Sequence, residues 1–344
     1  MSADFRGLLK KVGSGAHTHQ DLTRAEAEQA ARLMLTAEAT PAQIGAFLIA
    51  HRIKRPTPDE LAGILDAYQS LGTFLPDLGL SHPLQIFGHP YDGRNRSNPV
   101  APLVALILAT VGIPVLQHGA DVCPTKYGIP LVDLWQSLGL QWRGLSLAQV
   151  GDMLRHHHLG FLHTPTHFPL AQPVMVYRDQ IGKRPPLATV ELIWAPYAGD
   201  YHLISGFVHP PTEAMMLGVA TLRGIPHLTT VKGLEGSCDL PRSRTAILNH
   251  QGERLLLKAR DYNLEGSEAP FPGLEIWREQ AQSALKGDAE SPLWPDLLWN
   301  GGCYLWLCGA VASLDAGIQQ AQELLQSGAV VKQLTQLQQV LPSP

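Results

Sequence analysis

Within its first sixty residues the chain repeats one helix-start device three times. Thr23-Arg-Ala-Glu26, Thr40-Pro-Ala-Gln43 and Thr57-Pro-Asp-Glu60 each set a threonine three residues ahead of a Glu or Gln. Such a pair satisfies two of the backbone N–H groups that a helix start leaves unbonded, and a proline after the cap supplies a φ that is already helical. Ala27, Ala30, Leu33 and Met34 follow the first box in helical spacing, and Leu61, Ile64 and Leu65 follow the third. No strand-like alternation of useful length interrupts them. Residues 1–75 are therefore expected to form a small helical domain.

From Leu84 the character changes to short apolar runs, glycine or proline turns, and helices between them. That is the pattern of a sheet covered by helices. Leu84-Gln-Ile-Phe87, Val115-Leu116, Leu203-Ile-Ser-Gly-Phe207, His227-Leu-Thr-Thr-Val231 and Leu255-Leu-Leu257 are the expected strands. Residues 147–180 read as mostly helical, with breaks at Gly160 and Pro165 to Pro169. This segment belongs either with the α/β part or, after a crossover, with the N-terminal helices. Helices are expected again from about Asn300, over about 313–326, and around Leu334, Leu337 and Val340. The fold class is α/β: a small N-terminal helical domain and a larger domain, 80–344, with a mostly parallel central sheet.

Composition narrows the class. A chain of 344 residues, 45% hydrophobic and 16% charged, is long and apolar enough for a sizeable core without disulfides. Cys123, Cys238, Cys303 and Cys308 are too few and too irregularly spaced for a disulfide framework, which suits reduced thiols. The start Met-Ser-Ala-Asp-Phe-Arg shows no secretion signal, so a cytoplasmic protein is expected. The most apolar stretch, 100–116, is broken by Pro102, Gly112 and Pro114 and reads as buried core. A formal net charge of -4 gives no global attraction to nucleic acid or anionic lipid, so any polyanion needs a local basic surface.

Two loops after expected strands are site candidates. Gly88-His-Pro-Tyr-Asp-Gly-Arg-Asn-Arg-Ser-Asn98 precedes a helix expected from about Pro99. A helix start exposes unpaired N–H groups and carries partial positive charge, and Arg94 and Arg96 add forked donors. Asp92 orients these arginines, or meets a hydroxyl or a metal. Gly88, Asp92, Gly93, Arg94, Asn95, Arg96 and Asn98 form this candidate, against the plainer reading of a solvated turn capped by Asn98. Gln117-His-Gly-Ala-Asp-Val-Cys-Pro-Thr-Lys-Tyr-Gly128 is the second, with His118, Gly119, Thr125 and Lys126 facing a phosphate or carboxylate. A packed histidine and a surface lysine are its plainer reading.

Read together, these elements resemble the anthranilate phosphoribosyltransferase family across nearly the whole chain. The resemblance is close from Leu22 through Glu38-Ala-Thr-Pro-Ala-Gln-Ile-Gly-Ala-Phe-Leu-Ile-Ala-His-Arg-Ile-Lys54, and continues in Gly112-Ile-Pro-Val-Leu-Gln-His-Gly119 and Ile181-Gly-Lys-Arg-Pro185. It implies the nucleoside phosphorylase and phosphoribosyltransferase type of fold. The family signature Gly-Thr-Gly-Gly-Asp, Asn-x-Ser-Thr stands here as Gly88-His-Pro-Tyr-Asp92 and Asn98-Pro-Val-Ala101. Two glycines and both hydroxyl donors are replaced. Lys-His-Gly-Asn-Arg-x-x-Ser-Ser-Lys stands as Gln117-His-Gly-Ala-Asp121, with Pro124, Thr125 and Lys126. The paired metal carboxylates of His-Gly-x-Gly-Leu-Asp-Glu are missing from Lys232-Gly-Leu-Glu-Gly-Ser-Cys-Asp239, leaving Glu235 and Asp239 as weak metal candidates. Arg178 matches the arginine that meets the anthranilate carboxylate, and Arg184 lies in the matching later loop.

Tyr-Asp-Gly-Arg-Asn-Arg and Val231-Lys-Gly-Leu-Glu-Gly further resemble the YbiB-like branch of the family. That resemblance implies a homodimer through the helical domain, nucleic-acid binding and no anthranilate transfer. On this reading Arg94, Arg96, Lys126, Arg178, Lys183, Arg184, Lys232, Arg242 and Arg244 line one groove for nucleic acid or a phosphorylated small molecule, and no cofactor is needed. The alternative is an active phosphoribosyltransferase with an acidic or aromatic acceptor, and with magnesium. A purely structural role, with the cations on separate surfaces, is the third.

Overall fold

The structure, a computed structural model, describes residues 3–342. Met1, Ser2, Ser343 and Pro344, at the outer ends of the two expected domains, lie outside the described residues. The chain opens with four helices, α1 (Ala3–Gly13), α2 (Arg24–Leu35), α3 (Pro41–Lys54) and α4 (Pro58–Leu71). All three capping boxes form with both reciprocal bonds, so each threonine and its Glu or Gln fix the helix start as the spacing predicts. Glu60 does more than cap α4. It is buried, accepts from the backbone of Leu22 and from Lys54, both at 2.8 Å, and faces His51 at 3.3 Å, tying three segments of the bundle together.

The rest builds a sheet covered by helices. In chain order come β1 (Leu84–Gly88), α5 (Ala101–Thr110), β2 (Val115–Gly119), α6 (Leu131–Ser137), α7 (Leu147–His157), β3 (Leu159–His163), α8 (Thr164–His167), α9 (Gln172–Gln180) and α10 (Leu187–Leu192). Then follow β4 (Tyr201–Gly206), α11 (Pro210–Arg223), β5 (Leu228–Val231), β6 (Ala246–His250) and β7 (Glu253–Leu257). Four helices close the chain: α12 (Leu274–Leu285), α13 (Trp294–Leu307), α14 (Leu314–Gln326) and α15 (Ala329–Val340). The strand order is β3-β2-β1-β4-β5-β6-β7, parallel from β3 to β5 and antiparallel for the last two pairs. The architecture is an N-terminal helical bundle with a larger α/β domain whose sheet is mixed and mostly parallel.

Two elements depart from the sequence reading. Leu159–His163, expected within a helical stretch, is strand β3 at the sheet edge. A five-residue run buried along its whole length has no alternation to mark it as a strand. Ala246–His250 forms β6, which the sequence reading also omitted. Helix α9 packs against α2 and α3, so this part of the 147–180 segment sits on the bundle. The apolar stretch 100–116 folds as α5 and β2, buried in the core. Among the described residues no helix is long and apolar enough to cross a membrane.

Candidate active site

Parallel α/β sheets gather ligands outside the carboxyl ends of their strands, where the strand order reverses. Here the order reverses at β1, with β2 on one side and β4 on the other. A cleft of about 1110 Å³ opens there, between the loops after β1 and β4 and the last turn of α3. The β1 loop contributes Pro90, Tyr91 and Asp92, the β4 loop Phe207 to Pro211, and the bundle Arg52 and Arg55. Thr125, Arg178, Lys183, Arg184 and Glu191 complete the charged and polar lining used below.

Gly88 ends β1 where backbone meets backbone, since a Cβ there would lie 1.9 Å from the Leu192 carbonyl oxygen. Gly93 has φ +74 and presses on Gly128, as the β1 and β2 loops pair through Ile129 N–H to the Arg94 carbonyl at 2.8 Å. Both glycines thus serve the framework of the site.

The cations expected to hold an anion at the start of α5 already have partners. Arg94, buried, donates to Asp239, and Asp239 also accepts the backbone N–H of Val100 at 3.0 Å. Glu235 accepts from the N–H groups of Arg96 at 3.0 Å and Ser97 at 3.2 Å, and from Lys126 Nζ at 2.7 Å. Burial alone would raise the Glu235 carboxyl, but Lys126, the Ser97 amide and Arg94 together bring it down to about 2. Two carboxylates of the chain itself therefore occupy the amide-lined hollow before α5. Asn98 is buried with its amide on Gln280, Asn95 and Arg96 are exposed, and α5 has no side-chain cap.

Glu235 and Asp239 do not fit magnesium. Their oxygens face Lys126, Arg94 and backbone N–H groups, and among the described residues no group of three or more His, Cys, Asp or Glu is arranged to hold a metal ion. Asp92 faces the cleft with one oxygen on Arg184 Nε at 3.1 Å, while its other oxygen is buried without a partner among the described residues.

Under the cleft His118, at the end of β2, is buried between Tyr91 and Trp194. Its Nε2 meets the Trp194 carbonyl at 3.1 Å and must carry the proton, so Nδ1 accepts from the Tyr91 hydroxyl at 2.7 Å. Burial, with the nearby His89, pulls His118 down to about 3. It is a neutral prop for Tyr91. Gly119 ends the same strand.

The single groove of nine cations is not what the structure contains. Arg178, Lys183 and Arg184 line the cleft, whereas Arg94 and Lys126 turn to Asp239 and Glu235. Lys232 lies outside the cleft lining, and Arg242 and Arg244 line a separate hollow of about 570 Å³. Of the nearby tyrosines, Tyr91 lines the cleft, Tyr127 is exposed with its hydroxyl on Asp179, and Tyr177 is half-buried. Arg52, Arg55 and Glu191 were not foreseen. Glu191 had a signal: it is the one acid in the run Leu187-Ala-Thr-Val-Glu-Leu-Ile-Trp194.

Residues 6–72 match the model of the glycosyl transferase family, helical bundle domain. The chain is 26% identical to the anthranilate phosphoribosyltransferase of Chromobacterium violaceum over 89% of this chain and 90% of that one. It is 27% identical to that of Afipia carboxidovorans over 97% and 98%. The chain is similar to anthranilate phosphoribosyltransferases along nearly its whole length. The fold agrees with the crystal structure of the anthranilate phosphoribosyltransferase from Thermus thermophilus, at TM-score 0.79 and 23% identity over 96% of this chain and 98% of that one. It agrees with the Saccharomyces cerevisiae enzyme in complex with PRPP and Mg at TM-score 0.84 and 18% identity, over 98% and 97%.

These matches correct two expectations. Full-length likeness to anthranilate phosphoribosyltransferases, in sequence and in fold, overturns the nucleic-acid reading and gives no ground for the YbiB-like branch. It also overturns the expectation that transfer is lost. The internal pairing of Arg94 and Lys126 is the physical side of the first correction, because paired cations do not track a phosphate backbone.

Proposed function

We propose that the chain is a phosphoribosyltransferase that moves the phosphoribosyl group of phosphoribosyl pyrophosphate to the nitrogen of an acidic aromatic amine of the anthranilate class. The observation that carries this is the cleft at the strand-order reversal, where Arg52 and Arg55 from the bundle oppose Lys183 and Arg184 from the α/β domain. Four cationic side chains around one opening suit a donor that carries a phosphate and a diphosphate.

In the reaction the bond from the sugar carbon to pyrophosphate breaks, pyrophosphate leaves with the electron pair, and the carbon–nitrogen bond forms with loss of one amine proton. No covalent intermediate with the protein is required. The residues supply position and charge: Arg184, held by Asp92, with Arg52, Arg55 and Lys183, stabilises charge building on the leaving group. Tyr91, fixed by His118, gives the ring of the acceptor a rigid wall. Arg178, at the floor, is the cation nearest to hand for the acceptor's carboxylate.

Direct titration of phosphoribosyl pyrophosphate, with and without magnesium, tests the donor half of this reading. Saturable binding that falls with added salt is expected, and absence of binding in both conditions contradicts it. The domain limits 1–75 and 80–344 and a homodimer through the bundle stay part of the proposal, the dimer to be checked by sedimentation of the purified chain.

A further inference from the structure

The floor of the cleft is a closed ion pair. Arg178 on α9 and Glu191 on α10 are each 2% exposed, and both line the opening. Arg178 Nη1 lies 2.9 and 3.2 Å from the two Glu191 oxygens, and Nη2 lies 3.2 Å from the second. Among the described residues the only nitrogen of Arg178 left without a partner is Nε. The forked geometry that would receive a carboxylate from a ligand is already filled by a carboxylate of the chain.

An anionic acceptor entering this floor therefore makes a third charge. Two carboxylates on one guanidinium leave a negative charge uncompensated in a dry site, a state that like-charge pairs avoid by taking up a proton. The other groups around Glu191 offer little relief. Asp92 repels it, Arg184 is engaged by Asp92, and Tyr68, Tyr91 and Cys123 are neutral hydroxyl or thiol groups raised by burial. Glu191 itself is already raised by burial, with Arg178 opposing, so it is the group readiest to accept the proton.

We propose that Glu191 makes acceptor binding proton-coupled: an acidic aromatic amine enters with one proton from solvent, which neutralises Glu191 and hands Arg178 to the acceptor's carboxylate. Only an O–H bond on Glu191 forms, and the proton returns to solvent when the site empties. Glu191 is then a positioning residue that sets acceptor selectivity. Above its pKa, an acidic acceptor weakens about tenfold per pH unit, whereas an uncharged aromatic amine does not. This rests on the acceptor reading above.

Calorimetric titration of anthranilate into wild-type protein loaded with pyrophosphate in place of the donor, so that no transfer occurs, between about pH 6 and 8 in buffers of different ionisation enthalpy, tests it. Uptake approaching one proton, with affinity falling about tenfold per pH unit, is expected. Binding with no proton uptake and no pH dependence overturns the proposal while leaving the acceptor reading intact. Absence of binding at every pH overturns both. In E191Q the proton uptake and the pH dependence disappear and anthranilate binds more tightly at high pH. Because this variant leaves Arg178 without its counter-ion, the wild-type titration decides the matter if E191Q fails to fold.

Discussion

Asp239 accepts the backbone N–H of Val100 at 3.0 Å, so helix α5 begins on a carboxylate supplied by the chain itself. The same carboxylate holds the buried guanidinium of Arg94, and Glu235 fills the neighbouring amides. The positive end of the helix is satisfied internally, and the cations that line the cleft include Arg52, Arg55, Lys183 and Arg184 instead, with Arg184 paired to Asp92.

This arrangement predicts a structural cost for D239N. Removing one partner of a buried pair strands the other, at about 3–5 kcal/mol. Denaturant unfolding of the variant should show a loss of that size. Wild-type stability would mean that Arg94 finds another partner.

Glu60 governs the bundle in a pH-dependent way. Burial alone would raise it, but His51, the Leu22 amide and Lys54 bring it from 4.5 to about 2. A depressed carboxylate contributes its stability above its unfolded pKa and loses it as pH falls towards the folded one. The contribution, about 3 kcal/mol, should therefore be whole above about pH 4.5 and vanish by about pH 2. In E60Q it should be absent at neutral pH, lowering the denaturant midpoint.

Acid should unfold the protein before the carboxylates titrate. Burial holds His89, His118 and His202 at about 3 each. Their unfolded counterparts bind protons from about pH 6.5 downward, so stability falls as pH drops, by up to about 1.4 kcal/mol per unit for each histidine. Melting temperature measured from pH 7 to 5 should drop steeply. A flat profile would show that these rings are protonated in the folded state.

Arg184 is the cleft cation whose loss should be felt most cleanly. Its Nε reaches Asp92 at 3.1 Å from a half-exposed position, so R184A should fold. Losing a charged hydrogen bond of about 1.5–3 kcal/mol corresponds to donor binding weakened about 10- to 100-fold. R244A, in the separate hollow, should bind the donor as wild type does. Equal losses in both variants would point to general charge rather than to the cleft.

Local rules carried the sequence reading as far as they act. Thr23, Thr40 and Thr57 each meet a partner three residues on, and all three boxes form as read. Leu159–His163 escaped because a short, wholly buried strand lacks the alternation that marks one. The site was legible in its positive residues and not in their pairing. Arg94 meets Asp239 across a sequence separation of 145 residues, and Lys126 meets Glu235 across 109. Which cation stays free for a ligand depends on where the acids land, and spacing carries no trace of that. Arg52 and Arg55, at the basic end of α3, read as helix-end residues until the fold brought the α/β loops opposite them.

The most direct test is turnover itself. Purified protein is mixed with phosphoribosyl pyrophosphate and anthranilate, with magnesium present and absent, and both anthranilate fluorescence and released pyrophosphate are followed. The proposed activity predicts loss of fluorescence matched mole for mole by pyrophosphate, and slowed about 10- to 100-fold in R184A at limiting donor. Unchanged anthranilate with no pyrophosphate released, from protein that binds the donor, would contradict it.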